Sequence, residues 1–169
     1  MTVDLICESP LWTEPELAGL ADRASAAVLM RLGLDPQRHE IALLACDDAR
    51  IATLNTEFRG KPSPTNVLSW PETDRAPETP GEMPGLPAAQ DHDEDFLGDI
   101  AIAHETCARE AVEQAKPFAH HVTHLIVHAT LHLLGFDHVR DEDATLMERI
   151  EVEILGNLGI PDPYWNGNG

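Results

Sequence analysis

The chain has 169 residues, 43% of them hydrophobic, with 30 acidic against 11 basic side chains and a formal net charge of −19. That length suits one ordinary domain rather than two, and no run approaches the roughly 18 apolar residues that a membrane helix needs. So negative a surface repels polyanions at a distance, which excludes broad, nonspecific nucleic-acid binding but leaves room for a local basic cleft.

Residues 3–8 (VDLICE) read as a short strand. The stretch holds Asp4 and Glu8, with Glu14 and Glu16 following and no basic start, so no signal peptide is expected. Leu17, Leu20, Ala21, Ala24, Val28 and Leu32 recur at helical spacing over 13–32, with Thr13 placed to cap and Gly33 to stop the helix. Residues 40–46 form a buried strand, and Asp47 or Asp48 caps a helix running to about Phe58. Two further strands are expected at 65–70 and 97–103, then helices at 104–115, 119–134 and 141–156. Between Pro71 and Asp95 the composition turns to Pro and acidic residues without apolar period, which predicts an exposed, mobile loop. The order predicts an α+β or α/β layered domain with about four strands and about five helices. Cys7, Cys46 and Cys107 are odd in number and far apart, so reduced thiols of a cytosolic protein are expected.

The chemistry concentrates in His128-Ala-Thr-Leu-His132-Leu-Leu-Gly135-Phe-Asp-His138. Two histidines four apart share one helix face, about 6 Å apart along the axis. Their imidazoles can converge on one ion at about 2.0–2.1 Å. Gly135 lets the helix end, and the turned chain can bring His138 back to the same point. Three protein ligands leave a fourth position open, the catalytic rather than the structural arrangement of zinc. One zinc per chain is expected, with nickel or another first-row metal as the alternative.

The spacing H-x-x-x-H-x-x-G-x-x-H resembles that of metzincin zinc proteases, in which a Glu after the first His acts as general base. Here that position is Ala129, which keeps the metal site and removes the usual proteolytic mechanism. His124 lies on the same face as His128, but eight residues, about 12 Å of helix, separate it from His132, so both cannot hold one ion. A role behind the ligands and a plain surface role are both open for His124. Asp137 either orients a ligand imidazole or stabilises the turn. His39, His92, His104, His120 and His121 are assigned no metal.

The histidine segment resembles the signature of the YbeY family of endoribonucleases, usually written H-G-x-L-H-L-x-G-Y-D-H; Ala129 and Phe136 are mild departures. Phe58-Arg59-Gly60-Lys61 with Pro64-Thr65-Asn66-Val67-Leu68-Ser69, and Leu97-Gly98-Asp99-Ile100, resemble two more family stretches, in the same order, over roughly residues 40–160. The resemblance implies an α+β fold with a small mixed sheet and the three histidines at the end of a helix. It implies a metal-dependent endoribonuclease preferring single strands, active in 16S ribosomal RNA 3′-end maturation and ribosome quality control. It implies a cytoplasmic location, ribosomal RNA as substrate, and small-subunit ribosomal proteins and an assembly GTPase as partners, with neither membrane nor DNA. Carried over by position, the ligands are His128, His132 and His138, and the functional arginine is Arg59.

The residues suit that chemistry. Phosphoryl transfer needs cations on the nonbridging oxygens more than it needs a carboxylate base. Arg59 offers a planar fork and Lys61 a nearby point charge, so the cleft would be a small positive island in a negative field. The bland reading of Arg59 is a solvated loop residue. Two other functions compete: a divergent zinc peptidase or metallohydrolase, and a non-catalytic ribosome-assembly factor with a structural metal.

Overall fold

The computed structural model describes residues 3–87 and 95–164. The elements follow the hydrophobic pattern closely. Strand β1 (Val3–Cys7) precedes helix α1 (Glu14–Arg31), and a short 3-10 turn at Pro36–Arg38 leads into β2 (His39–Cys46). Helix α2 (Asp48–Arg59), β3 (Val67–Pro71), β4 (Asp95–Ala103), α3 (His104–Glu113), α4 (Phe118–Leu133) and α5 (Asp141–Asn157) complete the chain. Thr13 stands at the N-cap of α1 but its side chain makes no capping bond. Pro15 at the second helical position lacks one of the two amides a cap reaches. Asp47 does cap α2, accepting from the Arg50 amide at 2.8 Å. The segment 88–94 of the acidic stretch lies outside the described residues.

The four strands form one mixed sheet in the order β1-β2-β4-β3. β1, β2 and β4 run parallel, and β3 is antiparallel to β4 at the edge. Side chains alternate between the faces of β4. Ile100 and Ile102 join the main core with α1, α4 and α5, while Ala101 and Ala103 join a smaller cluster with Ile51 and Leu54 of α2. Both faces are therefore covered, α2 on one and the larger helical layer on the other. Helix α4 is the central helix of that layer and packs against α1, α3, α5 and β3. Its apolar positions from Val122 onward are all buried, while His124, His128 and His132 remain partly exposed.

Gly98 explains one motif locally. The β2–β4 register shifts there, from Glu40 opposite Phe96 to Ile41 opposite Gly98. Gly98 has φ +144°, and a Cβ would lie 2.2 Å from the Trp70 carbonyl oxygen. Only glycine allows β3 to approach β4 this closely past the bulge.

The cysteines are free, and Cys46 and Cys107 are fully buried. Burial pushes the Cys46 thiol up to about 12 and the Cys107 thiol higher still. A thiol reagent should therefore modify only Cys7 in the native protein, and all three in denaturant. Fast labelling of more than one thiol without denaturant would contradict this packing.

Over residues 72–87 the acidic stretch is mostly exposed, as its composition predicts, and it is anchored by specific contacts. Arg140 donates to the carbonyls of Pro77 and Glu78 and pairs with Asp143 at 2.5 Å, while Asp143 accepts from the Gly81 amide at 2.9 Å. Arg75 and Gly85 hydrogen-bond each other across the loop neck. Composition registers the missing apolar period but not these side-chain anchors to backbone carbonyls.

Candidate metal centre

Helix α4 carries His128 and His132 on one face, and Gly135, at φ +103°, turns the chain just after it. The turn brings His138 back against both. The ring centroids stand 4.6 Å (His128–His132), 5.3 Å (His128–His138) and 5.1 Å (His132–His138) apart. One nitrogen from each lies within 4.8 Å of the others, a group that can hold a metal ion. The Nε2 atoms of His128 and His132 are 3.0 Å apart. Tetrahedral zinc at its normal bond length separates two ligand nitrogens by about 3.3 Å, so small side-chain adjustments fit these residues to the ion.

The turn is braced from outside. A Cβ on Gly135 would fall 2.7 Å from the backbone of Arg75 and 2.8 Å from Pro84, so the acidic loop seats directly on it. Asp137 accepts from the His138 amide at 2.7 Å, which stabilises the turn; its carboxylate is also 3.9 Å from His138 Nδ1. Burial, with His128 and His138 alongside, lowers His132 to about 4. Its imidazole is thus neutral near pH 7, the protonation state a ligand needs.

A carboxylate lies behind the histidines. Glu151 of α5 is fully buried and accepts from His128 Nδ1, from His124 Nε2 at 3.2 Å and from the Tyr164 hydroxyl. Burial alone would raise its pKa, but the three hydrogen bonds outweigh this and hold it at about 2. Bonding Nδ1 to Glu151 fixes the His128 tautomer and leaves Nε2 toward His132, the arrangement by which carboxylates orient metal-binding imidazoles. His124 therefore belongs behind the ligands and not on the open surface. Sequence reasoning missed Glu151 and Tyr164. The available signal was a carboxylate on the buried stripe of α5, among Met147, Ile150, Ile154 and Leu155.

The three imidazoles open onto a cleft of about 760 Å³, bounded by β3, the end of α2, the loop at Asp74 and Ala76, and Tyr164. Arg59, the last residue of α2, lines it. Gly60, at φ +69°, caps that helix, and the buried Asn55 side chain donates to the Ser63 carbonyl at 2.9 Å, tying the 60–63 turn to α2. Asn66 donates to Glu110 at 3.0 Å and thereby fixes the start of β3. Lys61 is not among the lining residues, and Asp74 and Asp137 are. The expected positive island thus shrinks to Arg59 and whatever cation the histidines hold.

Fold and site together define a class: an α+β protein that presents a three-histidine, metal-competent group at the floor of an open cleft. Within that class the chain belongs to the YbeY family, since the family model described as "Endoribonuclease YbeY" matches residues 8–159. Relatives bearing that same description include proteins of Ruegeria pomeroyi, 63% identical over 97% of this chain and 98% of theirs, and of a Jannaschia species, 58% identical over 97% and 100%. A Bradyrhizobium diazoefficiens relative is 45% identical over 97% of this chain and 85% of its own. A Thermotoga maritima protein solved in solution shares the fold with a TM-score of 0.56 at 19% identity, over 99% of both chains. No helix among the described residues is long and apolar enough to cross a membrane.

Proposed function

We propose that this protein is a metal-dependent endoribonuclease that cuts single-stranded RNA in the cytoplasm, acting in 16S ribosomal RNA 3′-end maturation and ribosome quality control. The observation that carries the reading is the convergence of His128, His132 and His138 in one open cleft with Arg59. Relatives up to 63% identical bear the name endoribonuclease, which supports it. In this reading the three histidines would hold one zinc or similar first-row ion, which would supply Lewis acidity at a phosphodiester for attack by water or by the RNA 2′-hydroxyl. Arg59 places its guanidinium fork on the nonbridging oxygens, where negative charge grows in the transition state. Glu151 keeps the His128 Nε2 lone pair aimed at the site, and the buried His132 stays neutral.

The peptidase reading lacks its base. Ala129 replaces the expected Glu and is 1% exposed, and Glu151 is sealed from solvent with three donors on its oxygens. The charge of −19 favours the second reading, a non-catalytic assembly factor recruited through ribosomal proteins or a GTPase. Zinc-loaded protein should cleave single-stranded RNA, leave casein intact, and lose the cleavage on chelation. Casein cleavage would establish the peptidase, and no cleavage of either substrate would leave the assembly factor.

Arg59→Ala should lower RNA cleavage by about 10²-fold or more, with metal content and melting temperature unchanged, because the side chain is exposed and its work is electrostatic. Arg59→Lys should recover part of the rate, since a point charge replaces the fork. Cleavage at the wild-type rate by Arg59→Ala would return Arg59 to a solvated loop residue.

A further inference from the structure

We infer that Phe58 is a base-stacking platform that gives this site its preference for unpaired RNA; the inference rests on the endoribonuclease reading above. Phe58 is 61% exposed at the end of α2, immediately before Arg59. A single exposed apolar side chain needs no explanation on its own. This one is held in place: its ring meets Trp70 of β3 edge-on, with centroids 5.3 Å apart and planes at 67°. Trp70 is itself half-buried against the small core under α2, so the pair is anchored to the sheet. Phe58, Trp70 and Arg59 all line the cleft that the three imidazoles floor.

The juxtaposition matches one nucleotide. A nucleotide offers a phosphate and, a few ångströms away, a flat apolar base. Adjacent residues at a helix end offer a guanidinium and a flat apolar ring within the same cleft. With Arg59 on the phosphate, the neighbouring base meets a face of Phe58, because the Trp70 ring crosses Phe58 at 67° and is not stacked parallel on it. A base in a duplex is already stacked and paired, and A-form grooves do not admit a protein ring to its face. Only an unpaired base can take the position. The weak electrostatics of the cleft make this contact matter more: with one arginine and two aspartates on the walls, affinity cannot come from phosphates alone. Stacking is also tolerant of sequence, since every base has a π face.

The test compares wild type with Phe58→Ala, Phe58→Leu and Phe58→Tyr, all zinc-loaded. Binding is measured to a short 2′-O-methyl RNA, first checked to stay uncut by the wild type, free and annealed to its complement, with cleavage of ordinary single-stranded RNA followed in parallel. Phe58→Ala should bind the single strand about 5- to 100-fold more weakly and lose most of the preference over duplex. Phe58→Tyr should keep both, because it keeps the ring. Phe58→Leu separates stacking from packing: it retains apolar bulk, so it should be as weak as Phe58→Ala if the ring is read by a base, and normal if Phe58 merely packs. Metal content and melting temperature should be unchanged throughout. Wild-type discrimination by Phe58→Leu or Phe58→Ala overturns the platform while leaving the nuclease reading intact, provided wild type cuts RNA and Arg59→Ala does not. If wild type neither binds nor cuts RNA, the nuclease reading fails and the platform fails with it.

Discussion

Replacing His128, His132 and His138 together by alanine should remove the bound transition metal and essentially all RNA cleavage while leaving the fold in place. The effect on chemistry should be at least about 10³-fold, because the Lewis-acid contribution to such a barrier is several kcal/mol. The effect on folding should be modest, about 1–3 kcal/mol, since buried Glu151 loses one of its three donors with His128. His138 is exposed, His128 and His132 are only partly buried, and no core side chain is removed. The loss should also appear without any activity assay. Zinc should raise the melting temperature of the wild type, since it binds the native state alone, and should leave the triple variant unmoved. Equal metal content in the two proteins would remove the assignment of these ligands.

Glu151 should be the most sensitive position outside the ligands. Glu151→Gln keeps shape and volume but gives up one acceptor oxygen where His124, His128 and Tyr164 all donate. At least one donor is then opposed by an amide NH2, and His128 is no longer held by a charged partner. Metal affinity, measured by competition with a chelator, should fall about 10- to 100-fold. Glu151→Ala should in addition destabilise the metal-free protein by about 1–3 kcal/mol or more, because buried donors lose their acceptor. A purely structural carboxylate predicts the second result without the first: Glu151→Gln would then bind zinc as tightly as wild type.

These two predictions differ in how far sequence alone could reach. The three-histidine group was legible because it obeys local geometry: residues four apart on a helix share a face, and Gly135 marks where the chain can turn. Arg59 was legible through its surrounding motif, and the structure places it in the cleft at the close of α2. Glu151 was not legible as a partner of His128, because 23 residues and a change of helix separate them. Its position on an apolar stripe marks it as unusual, but only packing reveals which donors justify a buried charge. The strands and helices followed from alternation, helical spacing and glycines, with ends displaced by a residue or two, as α5 running to Asn157 illustrates, whereas the mixed sheet was expected from the family resemblance. The contacts of the acidic loop were not legible for a related reason. Its anchors, Arg140 and Asp143, lie some sixty residues later in the chain and bind it through main-chain groups.

The strap that residues 72–87 throw over Gly135 bears on when the protein becomes competent during synthesis. Every wall of the cleft except one has left the ribosome by the time the histidine turn is made: α2, β3 and the strap are already available. The strap's fastening points, Arg140 at the N-cap of α5 and Asp143 in its first turn, arrive last together with the α5 carboxylate that orients His128, followed by Tyr164. A nascent chain stopped before α5 has all three imidazoles and Arg59 but neither the fastening nor the carboxylate. The histidine turn is thus made before the side chains that fasten and orient it, and the site is complete only once α5 and Tyr164 have folded against it.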